Sequence, residues 1–188
     1  MSMRRALFFV IIFFVIVAGW RSHAFAQSIG ISNLAVDNQE GRIKVRFGVE
    51  LAATEAVEQA LRRGQVLALR SRARLARKRD YIWDSAVVET ESVSGLRLLD
   101  GGTYEIIHPG GRNENYRGRD LAVVMREAWG AMDLDLGAWD TLTRDNVYVL
   151  SLDISLLRQD ISSWLKNALF FWNFDAVSPA EYKLEFSY

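Results

Sequence analysis

From residue 27 onward, apolar positions recur with a period of two more often than with the period of a helix. Residues 29–36 read as a short strand and residues 37–41 as a turn. Ile43, Val45, Phe47, Val49 and Leu51 then alternate with Lys44, Arg46, Gly48 and Glu50, as in a strand with one dry and one wet face. Residues 65–79 predict a long strand, with Leu67, Leu69, Ala73 and Leu75 on one face and Arg70, Arg72 and Arg74 on the other. Residues 86–99 predict the next strand or pair of strands. Asp100-Gly101-Gly102 marks a turn, and residues 103–107 and 146–155 predict two more strands. The chain closes on Tyr182, Leu184, Phe186 and Tyr188, which alternate with Lys183, Glu185 and Ser187.

Helical spacing occurs in three places. Thr54 can cap a helix over residues 55–63, whose apolar side is Ala56, Val57, Ala60 and Leu61 and whose stop is Gly64. Asp120 caps a second helix to about Trp129, with Leu121, Val124 and Ala128 facing inward. A third stretch, about 159–170, carries Ile161, Trp164, Leu165 and Ala168 at helical spacing, with Trp172 beyond it. Residues 108–119 form a polar, glycine-rich loop. Many strands joined by turns, with few helices, predict a mainly β fold: an antiparallel sandwich or curled sheet with two to three short helices covering an edge or an end.

The N-terminus is of another kind. Arg4 and Arg5 precede residues 6–20, which carry no charge and no proline, and Ala24-Phe25-Ala26 supplies the small residues at Ala24 and Ala26 that signal peptidase reads. Fifteen apolar residues fall short of the roughly 20 that a membrane helix needs. Residues 1–26 are therefore expected to be a signal peptide cleaved after Ala26, leaving 27–188 as a single β-rich domain. If uncleaved, residues 6–20 would anchor the chain in the inner membrane. In both cases the positive-inside rule places the domain on the periplasmic side.

Composition narrows the chemistry. Removing residues 1–26 takes three arginines and no acid from a chain of 23 basic and 23 acidic residues, which leaves a net charge of −3. No global positive field would draw such a domain to nucleic acid. The chain has no cysteine, which excludes thiol catalysis and thiolate metal sites. One histidine, His108, remains after cleavage, too few for a histidine-rich metal site, and a surface-loop role is expected of it.

The order of elements resembles the proteobacterial family known as domain of unknown function 4390. The similarity rests on the alternating strand 43–51, on Ala60-Leu61-Arg62-Arg63-Gly64 leading into a basic strand, and on the helix 121–129. Further on it rests on Tyr148-Val149-Leu150-Ser151-Leu152-Asp153, on residues 169–175 and on residues 182–186. The resemblance implies an exported or membrane-anchored protein and a link to envelope sensing, through genes expected near a membrane sensor kinase. It implies no activity and no functional residue.

Two features remain as candidate contact surfaces. The basic set around Arg70, Arg72 and Arg74 could meet phosphate, an anionic lipid headgroup or an acidic partner. It could equally be a solvated face paired to Glu89 and Glu91 across the sheet. The loop 108–119, with Arg112, Arg117 and Arg119, lacks any phosphate-loop motif and could contact a ligand or partner. Asp133, Asp135 and Asp140 invite a calcium reading, but Leu136 and Gly137 stand where an EF-hand would have its third acid and its glycine. No catalytic or cofactor motif is present. The expectation is thus a non-enzymatic interaction module of the cell envelope, bound to an envelope protein or an anionic headgroup. The alternative is an envelope lipid or apolar-ligand carrier using the β core and the aromatic C-terminal stretch. A third reading is an enzyme built on carboxylates and arginines alone.

Overall fold

The computed structural model describes residues 27–52, 54–79, 84–108, 115–160, 170–174 and 176–188. The expected signal segment, with Ala24 and Ala26, lies outside these residues, as do Arg112 and most of the expected third helix.

β1 (Gln27–Gln39) and β2 (Arg42–Leu51) form a hairpin closed by the Gln39–Arg42 pair. The expected five-residue turn is thus two residues long. Glu40 and Gly41 both take positive φ, 52° and 77°, as a type I′ turn requires, and this twist matches that of the flanking strands. α1 (Thr54–Arg62) ends at Gly64, whose φ of +78° is the left-handed stop that glycine makes easy. β3 (Val66–Arg77), β4 (Ser85–Leu99) and β5 (Thr103–Ile107) follow, so residues 86–99 belong to one strand rather than two. α2 (Leu121–Trp129) starts where Asp120 accepts a hydrogen bond from the Val123 N–H at 3.1 Å.

Two expectations change, and one further strand appears. The loop 108–119 contains a short strand, β6 (Tyr116–Gly118), which pairs with β5 and is too brief for periodicity to reveal. The acidic run after α2 is β7 (Met132–Ala138). The strand expected to end at 155 is β8 (Val147–Asp160), so Gln159 and Asp160 are extended, and Phe170 lies in β9 (Phe170–Asn173). Residues 161–169 fall outside the description. Helical spacing loses at these ends because β8 is hydrogen-bonded on both sides, to β3 up to Gln159 and to β9 from Leu157 to Asp160. β10 (Val177–Ser178) and β11 (Ala180–Ser187) complete the chain.

The strands make two sheets. The larger has the order β11-β8-β3-β4-β5-β6, antiparallel throughout, with β9 also on β8. The smaller has the order β10-β1-β2-β7, in which β10 runs parallel to β1. The fold is therefore the mainly β, two-sheet arrangement that the alternation predicts. Leu67, Leu69, Ala73 and Leu75 of β3 and Leu150, Leu152 and Ile154 of β8 are fully buried. They share one core with Ile43, Val45, Phe47 and Val49 of β2 and Leu134 and Leu136 of β7. Both helices add to it. Trp129, 0% exposed, donates its indole N–H to Ser94 Oγ at 2.9 Å, so its polar atom is satisfied inside the core.

Gly48 sits where the chain leaving α2 passes β2. A Cβ there would lie 2.6 Å from the Gly130 carbonyl oxygen and 2.6 Å from Ser32 Oγ. Gly95, in β4, has open space at its Cβ position. Gly48→Ala is therefore expected to lower unfolding free energy by about 1–3 kcal/mol. Gly95→Ala should leave it unchanged or raise it by about 0.5–1 kcal/mol. Urea unfolding of both variants measures the contrast, and equal effects would contradict the close approach.

Candidate functional site

The registers of β3, β4, β8 and β11 fix what lies on the outer face of the large sheet. One cross-strand row reads Glu91, Arg72, Asp153, Glu181, and the next reads Glu89, Arg74, Ser151, Lys183. On the other side of Arg72, Arg70 lies between Val93 and Ser155. The three arginines share this face because their neighbours Leu69, Ser71, Ala73 and Leu75 fill the other. Arg72 Nε is 3.2 Å from Glu89 Oε1 and 3.2 Å from Glu91 Oε2, the pairing across the sheet expected for a solvated face. Arg70 differs. It is half-buried, its Nε donates to Ser155 Oγ at 3.2 Å, and it makes no ion pair among the described residues.

A break in the sheet edge opens a cleft beside Arg70. β11 follows β8 only as far as the Ala180–Ile154 pair, and β9 takes up the same edge at the Asn173–Leu157 pair. Between them the chain leaves the large sheet, adds β10 to the small one and returns at Pro179. The resulting cleft, about 480 Å³, is lined by Arg70, Arg72, Asp153, Ser155, Pro179 and Glu181, among others. Sequence reading singled out the two arginines but missed Asp153, Ser155 and Glu181. They lie far from Arg70 in sequence, and only the strand register joins them.

The other expected contacts do not converge on this cleft. Arg117, on β6, lies on the same face three strands from β3, about 14 Å away at ordinary strand spacing. It is already engaged. Glu105, with 0% of its side chain exposed, sits between Arg97 (Nη2 to Oε2, 2.5 Å) and Arg117 (Nη2 to Oε1, 2.5 Å). Burial pushes the Glu105 carboxyl up, but the Arg117 and Arg97 hydrogen bonds and charges outweigh it and hold it below the usual carboxylate range. Arg119 is exposed beyond β6, and Arg112 is not described.

His108 is more enclosed than a surface-loop residue. Its Nε2 lies 3.0 Å from the Ala128 carbonyl oxygen, and its ring meets Tyr116 edge-on at 5.7 Å. Asp133 and Asp135 face cations across the small sheet. Lys44 Nζ is 3.4 Å from Asp133 and 3.2 Å from Asp135, and Arg42 also binds Asp135. The Arg42 hydrogen bond in particular holds the Asp135 carboxyl far below its ordinary range. These acids are thus neutralised by the strand beside them. Among the described residues, no three carboxylates or histidines converge as a metal site would need.

The cleft can therefore hold and orient a charged group: Arg70 offers donors, while Asp153 and Glu181, the latter paired with Lys183 at 3.0 Å, offer acceptors. The class that these observations define is a mainly β, two-sheet domain with a polar cleft at a sheet edge. The chain belongs to the family described as Domain of unknown function (DUF4390), which matches residues 26–185. No curated protein and no solved structure matches the chain.

Glu105 gives this face a pH signature. Its folded pKa is lowered, so its stabilisation is present above the unfolded carboxyl range, about 4.3, and is lost as pH falls through the folded value. Glu105→Gln is expected to cost about 1–3 kcal/mol at pH 7. The gap to the native chain should narrow as pH drops below about 4. Urea unfolding at pH 7 and pH 3 reads both, and a gap of equal size at the two pH values would contradict the assignment.

Proposed function

We propose that the protein is a non-enzymatic interaction module of the cell envelope, on the periplasmic side, that grips an acidic group of an envelope protein through Arg70. The carrying observation is the state of Arg70. Its guanidinium borders the cleft and among the described residues is held by Ser155 alone, whereas its neighbour Arg72 is engaged by two carboxylates. A fixed, half-buried guanidinium loses little side-chain freedom on binding a carboxylate and presents its donors in a rigid fork. Asp153 and Glu181, which also line the cleft, favour a partner surface of mixed charge over a uniformly anionic lipid layer. The net charge of the domain without residues 1–26 points the same way. Support for the compartment comes from residues 1–26, whose basic start, apolar run and Ala24-Phe25-Ala26 ending have the form of an export signal. Among the described residues no helix is long and apolar enough to cross a membrane. The space between the sheets is filled by large side chains such as Trp129, Tyr148 and Phe47. A carrier would therefore depend on the aromatic C-terminal stretch, whose side chains lie outside the description.

The test is capture of partners by the tagged full chain from crosslinked envelopes, with mass determination of its N-terminus. The expected result is a chain beginning at Gln27 and one envelope protein recovered reproducibly, with recovery reduced at least about tenfold by Arg70→Glu, the scale of one lost charge-assisted contact. Capture indifferent to Arg70→Glu, recovery of lipid alone, or hydrolytic activity in the purified protein would contradict the proposal.

A further inference from the structure

β11 is hydrogen-bonded to β8 along one edge. On its other edge no strand pairs with it among the described residues. Tyr188 and Asn146 exchange both backbone hydrogen bonds, at 3.0 and 3.2 Å. In an antiparallel ladder this fixes the phase: Tyr182, Leu184 and Phe186 also turn their peptide groups toward β8, and Glu181, Lys183, Glu185 and Ser187 turn theirs outward. The outward-turned residues have exposed side chains on the wet face, where Lys183 pairs with Glu181 at 3.0 Å and Glu185 with Lys78 at 2.8 Å, both exposed enough to take a second partner. Tyr182, Leu184 and Phe186 are half-buried at the border of the core. An eight-residue edge of this kind is a template for another strand.

We propose that the occupant is β11 of a second copy, antiparallel and centred on Leu184, joining two large sheets into one. The charge order along β11 selects this register. A two-fold pairing must set outward-turned residues against outward-turned residues. Centred on Lys183, it would oppose lysine to lysine and Glu181 to Glu185. Centred on Glu185, it would oppose glutamate to glutamate. Centred on Tyr182, it would pair Glu181 with Lys183 but lay Glu185 against Pro179, which has no N–H and where the chain leaves the sheet. Centred on Leu184, it sets Lys183 opposite Glu185 twice, Tyr182 opposite Phe186 twice and Glu181 opposite Ser187 twice, with Leu184 against its own copy. Opposite charges and aromatic pairs directly across a strand pair are stabilising, and like charges are not. The side chains of Tyr182, Leu184 and Phe186 would gain across the two-fold axis the cover they lack in one chain.

The test uses the full chain as purified, sedimented over a range of concentrations. The expected result is a reversible dimer that Lys183→Glu weakens at least about tenfold in dissociation constant. The charge-swapped double variant, Lys183→Glu with Glu185→Lys, should return it to within about threefold of the native value. The chain contains no cysteine, so a single thiol reports geometry directly. Leu184→Cys, at a non-hydrogen-bonded pair about 4.5 Å apart, should oxidise to a covalent dimer. Glu181→Cys, about 20 Å from its counterpart in this register, should not. A monomer at every concentration, a dimer indifferent to Lys183→Glu, or crosslinking through position 181 as fast as through 184 would overturn the proposal.

Discussion

The alternation along Val66–Arg77 is the constraint on which the rest depends. β3 lies between β8 and β4, with an unbroken register to β8 from Val66–Gln159 to Arg77–Tyr148. A slip of one residue would carry every leucine on it to water and Arg70, Arg72 and Arg74 into the core. The leucines cannot leave, because they meet the inner faces of β2 and β7 across the shared core. The arginines cannot enter, because a guanidinium without a partner is among the costliest groups to bury. Position on this strand thus decides which residues are core and which are available for contact.

The same two-residue period organises the charges on both wet faces. On the large sheet, Arg72 meets Glu89 and Glu91, and Glu105 is enclosed by Arg97 and Arg117. On the small sheet, Lys44 and Arg42 meet Asp133 and Asp135, and Arg46 meets Asp37 at 2.6 Å. The exposed pairs among these add little stability individually, unlike the buried Glu105 cluster, but they set strand neighbours and discourage other registers. Arg70 is unusual for a geometric reason: the residues directly across from it are Val93 and Ser155, neither of them charged, and beyond Ser155 the edge strand breaks at Pro179. The sheet switch that binds the two layers together through β10 also leaves the cleft beside Arg70.

Much of the fold was legible because it rests on period two. The leucine and arginine faces of β3, the Asp120-capped helix and the Gly64 stop all stand in the residues themselves. What stayed hidden depends on pairing between distant segments. β6 is three residues long and shows no period of its own, and β8 outruns its sequence pattern because strands on both sides hold it extended. The site was legible by half. The arginine stripe could be read, but neither the carboxylates lining the cleft nor the locked state of Arg117 could. Both follow from register, which a single sequence does not encode locally.

The central claim, that β3 divides a dry face from a wet one, is best tested by thiol accessibility in this cysteine-free chain. Single cysteines replacing Ser71, Arg72, Ala73 and Arg74 sample four consecutive positions with modest changes to the buried pair. Under native conditions, the account predicts fast labelling at 72 and 74 and strong protection at 71 and 73, lost together on unfolding. Uniform labelling across the four positions, or protection in the opposite phase, would contradict it.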